Sequence, residues 1–192
     1  MMPPDAPSLS RTRVVQVIIV TAVLLVAIAG LWHLWLPVAI TPLHWHPLAL
    51  GMGLVLGVAI TATSVLLTRI WPAYGEAVEA YLQMVVAPLE PPDLLILGLF
   101  PAASEELLFR GVALSALGNN TEAVLISGLV FGFLHLASAK HYPYVLFASM
   151  VGVVLGALTL LTANLVPAVT AHAVINIASA LYWRQQLTKK SR

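Results

Sequence analysis

Long apolar runs constrain this chain more than any other feature, because a helix crossing the hydrocarbon core of a bilayer needs about 20 mostly apolar residues. Six stretches approach that length, bounded by Pro, charge or aromatic anchors: Val14 to Leu36, Leu48 to Trp71, Leu94 to Leu117, Glu122 to Ser138, Tyr144 to Ala163 and Leu165 to Trp183. Between the second and third lies Tyr74 to Glu90, with Glu76 and Glu79 one turn apart and Tyr81, Leu82, Val85 and Val86 on another side. That pattern predicts a short helix lying along the membrane interface. Composition agrees, since 60% of the 192 residues are hydrophobic and 9% charged, too few charges to cover the surface of a soluble domain. The expected fold is all-α: a polytopic membrane bundle of about six spans and one interfacial helix, forming a single domain over residues 1–192.

Basic residues set the expected orientation, because Lys and Arg accumulate on the cytoplasmic side. With both termini cytoplasmic, Arg11, Arg13, Arg69, Lys140, Arg184, Lys189, Lys190 and Arg192 fall on that side, while the connections near residues 37–47, 118–121 and 163–164 carry none. The remaining basic residue, Arg110, lies inside the third span. Arg11 and Arg13 ahead of an apolar run and Ala27-Ile28-Ala29 resemble a secretory signal, but the run continues to Trp32 and Trp35 at spanning length. A net charge of +1 with scattered basic residues argues against nucleic acid as a partner. The lack of Cys excludes disulfides, thiolate metal sites and cysteine nucleophiles.

Charge inside the third span needs a reason, since an ionised residue at a helix centre costs about 2.5 to 3.5 kcal/mol on insertion. Glu106 and Arg110, at i and i+4, share a face and form an expected ion pair. Glu105 is offset by about 100° and is left over, which makes it the candidate catalytic carboxylate. The fourth span offers Phe131 and His135, and the sixth His172 and Asn176, each pair at i and i+4. An isolated histidine in an apolar helix is commonly a packing residue. Converging with Glu105, however, two imidazoles and an amide would activate water and stabilise an oxyanion. Counted from the cytoplasmic ends, Glu105 and His172 lie about 11 residues deep and His135 about 3, at 1.5 Å per residue.

Ser104-Glu105-Glu106-Leu107-Leu108-Phe109-Arg110-Gly111, Phe131-Gly132-Phe133-Leu134-His135 and His172-Ala173-Val174-Ile175-Asn176 together resemble the three ordered motifs of the CAAX protease and bacteriocin-processing family of intramembrane endopeptidases. The resemblance covers roughly Leu94 to Leu181. It implies that Glu105 is the general base, that His135 positions the attacking water, that His172 and Asn176 stabilise the oxyanion, and that Glu106, Arg110 and Phe131 support them. It further implies a protein or peptide substrate, membrane-associated or lipidated. Glu105, His135 and His172 could also ligate zinc, but a metal-free, glutamate-type mechanism without a cofactor is the favoured expectation, in the cell membrane. Two rivals stand beside the peptidase: a non-proteolytic immunity or scaffolding protein that binds a partner in the same cavity, and a small transporter using Glu105 and the histidines as a relay. Thr162-Ala163-Asn164 stands where many relatives have a glycine turn.

Among the remaining features, His44-Trp45-His46 reads as an interfacial anchor rather than a metal pair, and His141 and Tyr142 beside Lys140 as headgroup contacts. Gly51, Gly53 and Gly57, with Gly152 and Gly156, mark expected helix-packing faces. Ser104, Ser127, Ser138, Ser149 and Ser179 lie in apolar segments, none in a Gly-x-Ser-x-Gly setting that would favour a serine nucleophile.

Overall fold

The computed structural model of the chain describes residues 9–136 and 138–190, all of whose regular structure is helical. Arg192, counted in the orientation above, and Ala137, near the end of the expected fourth span, lie outside the described residues, as does the side chain of Lys190. In chain order the helices are α1 (Arg11–Trp35), α2 (Pro47–Ile70), α3 (Pro72–Val85), α4 (Asp93–Glu106), a π-helical segment (Leu107–Ala113), α5 (Leu114–Ala116), α6 (Thr121–Phe133), a 3-10 turn (Ala139–His141), α7 (Tyr142–Thr162) and α8 (Val166–Lys190). α1, α2, α7 and α8 are each long and apolar enough to cross a membrane. The protein is therefore an integral membrane helical bundle.

Two spans differ from expectation. The third is divided by the π segment, which starts immediately after Glu106 and contains Arg110; inserted π turns of this kind occur frequently at functional sites. The fourth is shorter than Glu122 to Ser138: α6 has 13 residues and ends at Phe133, so His135 sits in the turn beyond the helix rather than on its face. The interfacial helix also stops early, at Val85, ahead of the prolines at 88, 91 and 92.

Helix ends follow local chemistry. Ser10 accepts from the backbone N–H of Arg13 at the start of α1, and Asn120 does the same for Ala123 at the start of α6. His46 is the N-cap of α2, with Nδ1 accepting from Ala49 N–H at 3.1 Å, a role that its reading as an interfacial anchor did not include. Trp71, held extended by the following Pro72, breaks α2 from α3. Ala163 adopts the left-handed conformation at φ 47° where a glycine is usual. Asn164 secures that turn: its side chain accepts from His44 N–H and Val166 N–H and donates to His44 C=O.

Packing separates two close helix pairs, α2 with α8 and α6 with α7, from α4, which lies between α1 and α8. Glycines allow the close pairs. A Cβ added at Gly53 or Gly57 would meet α8 backbone oxygens at 2.6 and 2.8 Å, and one at Gly132 would meet Ser149 N at 2.4 Å. Gly51 departs from the expected packing face, since nothing lies within 4 Å of where its Cβ would be. α3 is fixed from two sides, by Ser64 against the Tyr74 hydroxyl and by Trp183 Nε1–H donating to Glu79.

Candidate active site

Glu106 is fully buried, and its Oε1 accepts from Arg110 at 3.0 Å and from His172 Nδ1–H at 2.8 Å. Arg110, equally buried, donates its other terminal nitrogen to Gly152 C=O at 2.7 Å and lies 4.5 Å from the centroid of the Phe131 ring. That carbonyl is within reach because α6 and α7 approach so closely: an added Cβ on Gly152 would sit 2.8 Å from Gly128 C=O. The π segment's own carbonyls are engaged from the α1–α2 connection, where Thr41 Oγ1 donates to Arg110 C=O and Thr41 N–H to Gly111 C=O. Phe131 is packed edge-on against both Phe109 and His172, so all three expected supporting residues, Glu106, Arg110 and Phe131, meet at one place.

Glu105 points elsewhere. Its Oε2 is buried without a protein hydrogen-bond partner and stands 4.0 Å from Nε2 of both His135 and His172. His135 reaches this point although it lies past the end of α6, because its Nδ1–H donates to Phe131 C=O at 2.8 Å. A carbonyl only accepts, so the neutral His135 ring carries its proton on Nδ1 and presents the Nε2 lone pair to Glu105. His172 is likewise held through Nδ1. Asn176, one turn along α8, donates weakly to Leu97 C=O at 3.4 Å and lines the same space. The four expected catalytic side chains are thus brought together from α4, the turn after α6, and α8. Among the described residues, no three His, Asp or Glu side chains are arranged to hold a metal ion.

Two cavities meet at this cluster. One, of about 490 Å³, runs between α3, α7 and α8 past Glu79 and Ser179; the other, of about 230 Å³, is bounded by α1, α3 and α4 and is lined by Val14, Ile18, Pro101 and Glu105. His135, His172 and Asn176 line both. So do Tyr81 and Tyr144, which the sequence reading did not place in the site. Burial holds the Tyr81 phenol up at about 12, and the charge of Glu105 adds to the effect, so this hydroxyl keeps its proton. Two of the serines are otherwise occupied: Ser104 donates to Phe100 C=O and Ser127 to Val124 C=O.

Residues 87–178 match the family described as Type II CAAX prenyl endopeptidase Rce1-like. Over those residues the chain is similar to an Rce1-like domain. Every candidate catalytic and supporting residue lies within it, whereas α1, α2 and α3, and with them Tyr81, precede it. No curated protein and no solved structure matches the chain. This similarity supports a protease of the CAAX endopeptidase type acting on a protein or peptide.

Proposed function

We propose that the protein hydrolyses a peptide bond of a membrane-associated or lipidated substrate by a metal-free, glutamate-type mechanism. The observation that carries this reading is the placement of Glu105 Oε2, buried, unpartnered and 4.0 Å from two imidazole Nε2 atoms. That gap suits a water that donates one hydrogen bond to Glu105 and another to the His135 lone pair. Glu105 removes a proton as the water oxygen attacks the scissile carbonyl, and the same proton passes to the leaving amine as the C–N bond breaks.

The oxyanion that forms on the carbonyl needs donors. Asn176 offers its amide. His172 offers Nε2–H only when both ring nitrogens are protonated, because Nδ1–H is committed to Glu106. Charge counting favours that form: Arg110 and an imidazolium balance the two carboxylates, and when Glu105 is neutralised the negative charge moves to the oxyanion, leaving the site still balanced. Glu106 thus fixes the orientation of His172 and compensates its charge, as a carboxylate partner does for a catalytic imidazole.

Both termini are placed on the cytoplasmic side in this reading, which rests on the distribution of Lys and Arg. The decisive test is hydrolysis of a quenched peptide library by detergent-purified protein, comparing wild type with Glu105→Ala and His172→Ala, each with and without a chelator. Loss of activity in both variants, with wild type indifferent to chelator, supports the mechanism. Chelator inhibition reversed by zinc reassigns Glu105, His135 and His172 as metal ligands. Cleavage identical in wild type and variants overturns the peptidase reading in favour of a binding or immunity role.

A further inference from the structure

Tyr81 on α3 and Tyr144 at the start of α7 stack face to face, with ring centroids 4.9 Å apart and planes inclined by 25°. The pair stands where the two cavities join. The Tyr144 ring also meets His135 edge-on at 6.2 Å, which places the pair beside the imidazole assigned to the water. Each phenol has the other as its hydrogen-bond partner. Two phenols carry two protons and a shared bond uses one, so one O–H remains unspent whichever phenol donates. Among the described residues, neither hydroxyl donates to any other side chain or to a backbone carbonyl.

A peptide crossing from one cavity to the other must pass this pair with its scissile bond at Glu105. An extended chain has backbone carbonyls on either side of that bond, and each carbonyl buried without a donor would weaken binding. Resting on the peptidase reading, we propose that Tyr81 and Tyr144 form a substrate-positioning pair, whose unspent phenolic proton donates to a substrate carbonyl flanking the scissile bond. The phenols do not take part in bond breaking. They hold the chain in register across Glu105 while their rings brace His135.

Phenylalanine keeps the stack and removes only the hydroxyl, so Tyr81→Phe, Tyr144→Phe and the double variant test the proposal with the rings intact, their folding checked by thermal unfolding in detergent. With a peptide that wild type cleaves and Glu105→Ala does not, the double variant is expected to raise KM about tenfold with little change in kcat, the loss of one good hydrogen bond. Each single variant, keeping one phenolic proton, should lose less. The same peptide should bind the Glu105→Ala protein about tenfold more tightly than it binds the triple variant, which measures positioning with chemistry switched off. Two analogues, each with one flanking carbonyl reduced to methylene, complete the cycle. One of them should bind the Glu105→Ala protein about as weakly as the unmodified peptide binds the triple variant, and should lose nothing further in the triple variant. Unchanged KM and affinity in the double and triple variants, or losses that simply add for both analogues, overturn the positioning role while leaving the peptidase intact. Failure of Glu105→Ala to abolish cleavage removes the peptidase reading, and this inference with it.

Discussion

Around Glu106 each packed helix of the site supplies something: Arg110 from the π segment, His172 from α8, and through Arg110 the Gly152 carbonyl of α7 and the Phe131 ring of α6. Around Glu105, the next residue back, there is space, two imidazole nitrogens at 4.0 Å and the junction of two cavities. The two carboxylates differ by one residue of helix, about 100° of rotation, and that rotation divides scaffold from reactive group. A buried ion pair is poor evidence of stability in itself, because desolvation offsets its attraction; removing one partner is what costs, since the other is left charged and alone. Glu106 should accordingly answer to substitution in the fold, and Glu105 in the reaction.

The largest effect is expected from Glu105→Gln. Hydrolysis should fall about 10²- to 10⁴-fold, the usual contribution of a positioned general base, while the thermal midpoint in detergent holds, because Oε2 of Glu105 makes no hydrogen bond to the rest of the fold. A drop in the midpoint would show that Glu105 has structural partners after all. Arg110→Met is the converse: about 3–5 kcal/mol of stability should be lost as Glu106 is stranded, visible as a large fall in the midpoint. Adding Glu106→Leu to that variant should restore part of the stability and none of the activity, and recovery of activity would break the division between the two carboxylates.

That division was largely readable in the sequence, because charge in an apolar run is conspicuous and helical spacing assigns it to faces. Glu106 with Arg110 on one face and Glu105 on another needed only the 3.6-residue period. Other parts of the site left no such mark. The π segment is invisible in an apolar stretch that suits either helix, and the Gly152 carbonyl that binds Arg110 is a backbone atom that no side-chain pattern reports. His135 was legible in identity but not in setting: the helix ends at Phe133 and the ring is held by the Phe131 carbonyl. Tyr81, on one side of the interfacial helix, and Tyr144, at the start of a span, carry no mark of the site until the fold stacks them.

Glycines sharpen the contrast at a smaller scale. Gly132 lies on the tight side of the site, where an added Cβ would stand 2.0 Å from Ser149 Oγ and 2.4 Å from its backbone nitrogen. Gly132→Ala should cost about 1–3 kcal/mol by overpacking and should lower activity as well, since any shift of α6 carries the His135 turn with it. Gly51→Ala, with nothing within 4 Å, should leave both unchanged. Equal behaviour of the two variants in unfolding and hydrolysis would mean that α6 and α7 are free to separate.

The smallest effect belongs to the outermost part of the molecule. α1 covers the narrower cavity but buries only Val14, Ala22 and Ala29, with most of its apolar surface directed outward. Its polar tie is at one end, where Arg11 donates two hydrogen bonds to Asp93, at 2.7 and 3.0 Å, and pairs with Glu90 at 3.3 Å. Arg11 is half exposed, so this tie is weak in water and weakens further with salt. Arg11→Gln should therefore lower the thermal midpoint slightly and leave kcat as it was, because nothing between Arg11 and Glu105 depends on the charge. KM is the discriminating quantity. If α1 is only a cover, KM stays constant; if KM changes with kcat fixed, the gap between α1 and α4 is a route by which substrate reaches Glu105, and the loose side of the site has a function of its own.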